Sequence, residues 1–214
     1  MRILVKKGGP LTTLQDLGRY GYQKFGVLVS GAMDDVSLRL SNLLVQNDPG
    51  EGALEMTMSG PVLVLPAGLV FALTGADMKA TLGGKPVPRY RPIYVRKEAI
   101  LTFGFAQTGS RAYLSVAGGF DVPQVMESKS TYLRAKIGGV KGRPIDKGMN
   151  FLSEPLVLIK QRLWEEWNAA PRKEIPLSRF PGPLMAALSL LKAPSASWKG
   201  SNTIGSQRKA SAPL

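Results

Sequence analysis

Two short polar runs carry the residues best suited to chemistry. Thr12-Thr13-Leu14-Gln15-Asp16-Leu17-Gly18-Arg19-Tyr20-Gly21-Tyr22 and Ser30-Gly31-Ala32-Met33-Asp34 set hydroxyl, amide, carboxylate and guanidinium groups between turn-forming glycines. Neither a plain core strand nor a surface helix needs that density of polar groups, so the runs read as a recognition surface. The chain has no histidine and no cysteine. A Ser-His-Asp triad, a thiolate nucleophile and metal clusters built on His or Cys are therefore excluded, no metal site is expected, and any acid or base must be a carboxylate, lysine or tyrosine. The candidate acids or bases are Asp16, Asp34, Glu55 and Asp77. Thr13, Gln15, Arg19, Ser30 and Arg111 supply donors for an oxyanion and acceptors for an amide N–H.

Each of these residues also has a purely structural reading. Asp16 and Arg19 lie within reach of each other on a turn and can form a simple ion pair. Asp34 and Asp35 stand where carboxylates cap a helix and favour its dipole. Glu55, inside an alternating strand, reads as solvent-facing, and Asp77, after Thr74-Gly75-Ala76, as the head of an Asx-turn. Tyr113 and Tyr132 read as core or rim aromatics.

The elements that must position these groups are mostly strands. Up to about Leu152, short apolar runs are cut by Gly and Pro at close intervals, the pattern of a β-rich domain. Val62–Leu65, Leu69–Leu73, Ile93–Val95, Ile100–Phe103 and Ala112–Val116 are the clearest strands. Gly60-Pro61, Pro66-Ala67-Gly68, Gly83-Gly84 and Gly118-Gly119 make antiparallel turns between them. One helix is predicted from Asp34 to about Val45, with Val36, Leu40, Leu43 and Leu44 on its apolar face and Ser37 and Arg39 off it, free to meet ligand or water. Asn47-Asp48-Pro49-Gly50 stops it.

After Leu152 the texture changes. Leu158–Trp167 reads as a short helix or a linker, Leu184–Lys192 as a helix bounded by Pro194, and residues from Ser195 onward are too small and polar to offset their ordering entropy. The expected organisation is a β-barrel subdomain over residues 1–152, a linker and the start of a second subdomain over 153–194, and a loose tail over 195–214.

Composition narrows the partners. At 214 residues and 44% hydrophobic, the chain is long enough to bury a sizeable core. No run of about 20 apolar residues and no signal-peptide pattern is present, which points to the cytoplasm and away from a membrane. The net charge is +13, but residues 1–150 carry 19 Lys+Arg against 11 Asp+Glu without a dense block. Charge alone supplies no base-reading element, so no nucleic-acid partner is expected.

The motifs then point to a family. Gln15–Arg19, Ser30–Asp34, Leu54–Thr57, Gly60-Pro61, Thr74–Asp77, Arg111–Pro123 and Ser128-Lys129-Ser130-Thr131-Tyr132 come in an order and spacing that resembles the biotin-dependent carboxyltransferase-like family, which includes the 5-oxoprolinase C subunit, KipA and the second allophanate-hydrolase-type subunit. The resemblance runs from Met1 to Gly148. It implies a mainly β fold, a cyclophilin-like β-barrel subdomain with one or two short helices, followed by an incomplete second subdomain. Glu174–Leu177 with Pro181–Pro183, and Ser201–Ser206, resemble worn pieces of that second half, so a truncated or degenerate homologue is expected. At Gln46, Glu127 and Met149 the family usually has glycine, and Lys129 replaces an arginine. A glycine lost from a positive-φ position costs about 1 kcal/mol, and lysine lacks arginine's bidentate fork.

The resemblance also implies a function. In 5-oxoprolinase this polypeptide pairs with a KipI-like B subunit, and possibly with the A subunit, in an ATP-dependent enzyme that opens the 5-oxoproline lactam. In the urea carboxylase branch the related domain supports carboxyl transfer from carboxybiotin to urea. A third possibility is a non-catalytic KipA-type protein that binds a KipI-like kinase inhibitor. Ser128 and Ser130 join the substrate-binding candidates on this basis. ATP is expected only through the complex, because no Gly-Lys-Ser/Thr phosphate loop occurs here, and biotin only in the carboxyltransferase branch, delivered by a partner.

Overall fold

A computed structural model describes residues 1–153. The sequence expectations for 153–194, apart from Ser153 itself, and for 195–214 lie outside the described residues. Eleven strands and one α-helix follow in the order β1 (Arg2–Lys7), β2 (Thr12–Gln15), α1 (Asp35–Leu44), β3 (Ala53–Thr57), β4 (Val62–Leu65), β5 (Val70–Asp77), β6 (Thr81–Leu82), β7 (Lys85–Pro86), β8 (Pro92–Tyr94), β9 (Ala99–Thr102), β10 (Thr108–Val116) and β11 (Asn150–Leu152), with a 3-10 turn at Gln23–Phe25. The mainly β expectation is thus met. No helix of the described residues is long and apolar enough to cross a membrane.

The strands form two antiparallel sheets, β11-β1-β4-β9-β6-β7 and β2-β3-β10-β5-β8. Their facing sides interleave into one core. Ile3, Val5, Leu63, Leu65 and Leu101 of the first sheet meet Leu14, Leu54, Met56, Phe71, Leu73 and Leu114 of the second. Each fully buried aliphatic side chain contributes about 1.5–3 kcal/mol to this closure. Met1 and Ser153 are tied together: the Met1 ammonium donates to the Ser153 carbonyl at 2.5 Å, and the Ser153 N–H donates to the Met1 carbonyl at 2.9 Å.

The sequence reading placed the apolar runs well and the remaining strands less well. β1 alternates buried Ile3 and Val5 with exposed residues, but its flanking lysines mask the pattern. β2 is buried throughout, threonines included, and takes its place by pairing with β3.

The helix required a correction. Val36 is 62% exposed, whereas the face against the sheet is Ser37, Leu38, Ser41, Asn42 and Leu44. The reason is the surface it covers. Side chains of β3, β5 and β10 that point away from the core include polar ones, and a hydroxyl-bearing helix face satisfies them. Ser41 Oγ lies 2.6 Å from Ser115 Oγ and donates to the Leu38 carbonyl at 2.8 Å. Thr74 Oγ1 donates to the Ser37 carbonyl at 2.7 Å, and Asn42 Nδ2 to the Glu51 carbonyl at 2.7 Å.

The helix ends are locally determined. Asp34 caps the start, accepting from the Ser37 N–H at 3.0 Å and the Ser37 hydroxyl at 2.6 Å. At the far end the Gln46 N–H donates to the Leu43 carbonyl and the Asn47 N–H to the Asn42 carbonyl, a Schellman motif. Its left-handed position is Gln46, at φ 61°, and Glu127 is also left-handed, at φ 59°. Two of the glycine departures seen in the sequence therefore fall on backbone that favours glycine, whereas Met149 is not among the positive-φ residues.

Candidate functional site

The outward face of the second sheet holds a polar row set by strand register. Thr13 pairs with Glu55, Glu55 with Tyr113, and Tyr113 with Thr74, so four polar side chains cross β2, β3, β10 and β5 on one face. The loop ahead of α1 covers the middle of the row. Glu55 Oε2 accepts from the Tyr113 hydroxyl at 2.7 Å and from the Met33 N–H at 2.8 Å, while the Tyr113 oxygen accepts from the Asp34 N–H at 2.8 Å. Burial and the neighbouring Glu55 carboxylate push the Tyr113 pKa far above the usual phenol value.

Glu55 is therefore not the solvent-facing residue its strand pattern allowed; it is only 8% exposed. β3 is covered on both faces, by the core on one side and by the loop before α1 on the other. Two residues along β10 from Tyr113, Arg111 Nε stands 3.4 Å from Glu55 Oε1, and Arg111 Nη1 donates to Thr57 Oγ1. At the β2 end of the row Gln15 Nε2 donates to Thr13 Oγ1 at 2.9 Å and to the Thr131 carbonyl at 3.2 Å, leaving the buried Gln15 Oε1 without a hydrogen-bond partner among the described residues. Tyr113 is the residue sequence reasoning undervalued. The available signal was the period-two polar spacing of Arg111, Tyr113 and Ser115 on one strand face.

Asp16, Ser128 and Ser130 form a second cluster. Asp16 Oδ1 accepts from the Gly18 N–H at 2.7 Å, the Ser128 hydroxyl at 2.8 Å and the Ser130 hydroxyl, and Oδ2 accepts from the Lys129 N–H at 2.5 Å. The carboxylate is thereby committed to holding the 128–130 segment.

Arg19 is fully buried and lends itself to the same segment. Nη2 donates to the Ser130 carbonyl and Nε to the Val125 carbonyl at 3.5 Å, and Nη1 has no partner among the described residues. Asp16 and Arg19 do not meet as an ion pair; both grip the 125–130 segment. Desolvation lowers the Arg19 pKa, and the nearby Asp16 charge partly offsets that. Lys129, the arginine replacement, bonds Glu51 Oε1 at 2.5 Å and the Phe120 carbonyl at 3.0 Å.

Asp34 caps α1, as its position predicted. Asp77, the last residue of β5, makes the expected Asx-turn. It accepts from the Lys79 N–H and ammonium, each at 3.0 Å, and those bonds hold its carboxyl below the usual range. Ser30 sits at φ 57° in the turn where the Arg19 N–H donates to the Val29 carbonyl at 2.8 Å and the Ala32 N–H to the Asp16 carbonyl at 2.8 Å. The two polar runs of the sequence are thus laced together by backbone.

The family description "Carboxyltransferase domain, subdomain A and B" matches residues 25–193. The chain belongs to this carboxyltransferase family. It is 42% identical over 136 residues to the 5-oxoprolinase C subunit of Haemophilus influenzae, a match covering 64% of this chain and 44% of that one. It is 40% identical over 141 residues to urea amidolyase of Saccharomyces cerevisiae, covering 65% of this chain and 8% of that one. Among solved structures, the urea carboxylase of Kluyveromyces lactis superposes with a TM-score of 0.69 at 38% identity, over 71% of this chain and 14% of that one. The chain thus spans less than half of each of these relatives.

The glycine-rich 138–142 loop turns N–H groups inward: Gly139 donates to the Lys129 carbonyl at 2.9 Å and Gly142 to the Gly138 carbonyl at 2.7 Å. Those donors are spent on the protein itself and do not cradle a phosphate.

Proposed function

We propose that this chain acts within an ATP-dependent 5-oxoprolinase-type complex, paired with a KipI-like B subunit and possibly the A subunit, that hydrolyses a small amide or lactam. The observation that carries this reading is the 42% identity to a 5-oxoprolinase C subunit, a relative of which this chain spans 44%, against 8% of the urea amidolyase. The polar row supplies suitable chemistry. Of the four candidate carboxylates, Asp16 is held by Gly18 and the 128–130 segment, Asp34 by Ser37 and Asp77 by Lys79, each through both oxygens. Glu55 keeps an oxygen, Oε1, whose one partner among the described residues is Arg111 at 3.4 Å. In this reading Glu55 handles the proton and Arg111 with Thr57 steadies the amide oxygen, while ATP is bound by a partner polypeptide.

The test is co-expression with the KipI-like B subunit and the A subunit, followed by ATP-dependent 5-oxoproline turnover. Turnover that falls about a hundredfold or more in Glu55→Gln, with complex formation intact, is the expected result. Binding without turnover would favour a KipA-type interaction protein. The structural likeness to urea carboxylase favours a second reading, carboxyl transfer from a partner's carboxybiotin to urea, and urea-dependent consumption of carboxybiotin would select it.

A further inference from the structure

A cavity of about 570 Å³ opens between the 121–125 and 136–142 loops, and no residue of the polar row lines it. Its walls are apolar where they are deepest: Val122, Val125, Ile137 and Val140 line it, with Lys136 and Lys141 at the rim. Both lysines stand in left-handed backbone, at φ 56° each.

The walls are also fixed from behind. Arg19 donates to the Val125 carbonyl on one wall and to the Ser130 carbonyl beneath the other, and Gly139 donates to Lys129. A Cβ on Gly138 would lie 2.0 Å from the Ser130 carbonyl oxygen, so the second wall seats on this support only with glycine there. Arg19 itself lies behind the wall and not on the lining. Its guanidinium is fully buried with Nη1 unpartnered among the described residues, and Asp16 is the countercharge it feels. On the lining itself Lys136 and Lys141 face one carboxylate, Asp121.

We propose that this cavity binds a small organic carboxylate, its apolar body between Val122, Val125, Ile137 and Val140 and its anionic end toward Lys136 and Lys141. The match is between a lining that is mainly apolar and a rim whose balance is cationic. The site is separate from the Glu55 row and does not depend on the oxoprolinase reading. It gives the Asp16–Arg19 signature a purpose, since those residues build the cavity walls without entering it.

Isothermal titration of the full chain with hexanoate, and with neutral hexanamide for comparison, tests the proposal. Hexanoate is expected to bind about tenfold more tightly than hexanamide, the loss of one charge-assisted contact. The Lys136→Gln/Lys141→Gln double variant should lose about tenfold for hexanoate and nothing for hexanamide, Asp121→Asn should tighten hexanoate, and Val125→Trp should block both. Circular dichroism and a melting curve confirm that each variant folds. Equal affinity for the two probes, unchanged binding in the folded lysine double variant, or no heat with either probe at millimolar concentration would overturn the proposal.

Discussion

The Tyr113 hydroxyl donates to Glu55 at 2.7 Å and accepts from the Asp34 N–H at 2.8 Å, so one phenol links a strand carboxylate to the start of a helix. The phenol is fully buried, so water does not stand in for either contact. The link joins β3, β10 and the cap of α1.

Tyr113→Phe removes a donor and an acceptor together and leaves a buried carboxylate and N–H short of partners. It is expected to cost about 2–3 kcal/mol, measured by urea denaturation. The pH response follows from the direction of the Tyr113 shift. Its pKa is raised in the folded state, so the stabilisation is complete below the unfolded phenol value of about 10 and declines as pH rises above it. The alkaline loss of stability should be steeper in the parent protein than in Tyr113→Phe.

Asp16→Asn keeps the shape of the side chain but turns one oxygen into an NH2 that must face donors. The carboxylate accepts from Gly18, Ser128, Lys129 and Ser130, so the variant sets N–H against N–H or hydroxyl. A loss of about 3 kcal/mol is expected, with amide hydrogen exchange accelerating first over 128–142.

Gln46→Gly and Glu127→Gly should each stabilise the protein by about 0.5–1 kcal/mol, because both positions hold left-handed backbone, at φ 61° and 59°. Melting temperature reads the gain. Met149→Gly, which lacks that geometry, serves as the control and is expected to lower it.

Ser41 and Ser115 share a buried hydrogen bond of 2.6 Å between the helix and the sheet. Ser41→Ala strands the Ser115 hydroxyl and should cost about 1–2 kcal/mol. In a double-mutant cycle with Ser115→Ala, the pair should cost about 1 kcal/mol less than the sum of the singles.

Much of the barrel was legible because β4, β5, β8, β9 and β10 contain apolar runs closed by Gly or Pro, and local sequence is enough to mark such strands. What escaped depended on pairing. Nothing near Glu55 in the chain says that Tyr113 will stand beside it, because that contact comes from register between β3 and β10. The orientation of α1 escaped for a related reason: a helix normally buries its apolar stripe, but this one lies on a polar sheet face and buries serines. Asp16 and Arg19 were found by residue type, yet their role is visible only once residues more than 100 positions away are seen to be what they hold.

The meeting of Met1 with Ser153 has a consequence for architecture. β1 and β11, which carry these residues, run side by side, so the chain passes into β1 and out of β11 at one place on the rim. Sequence added at that place leaves the pairing within both sheets undisturbed. That property suits a barrel whose likeness occurs both within a urea amidolyase, as 8% of its length, and within a 5-oxoprolinase C subunit, as 44%.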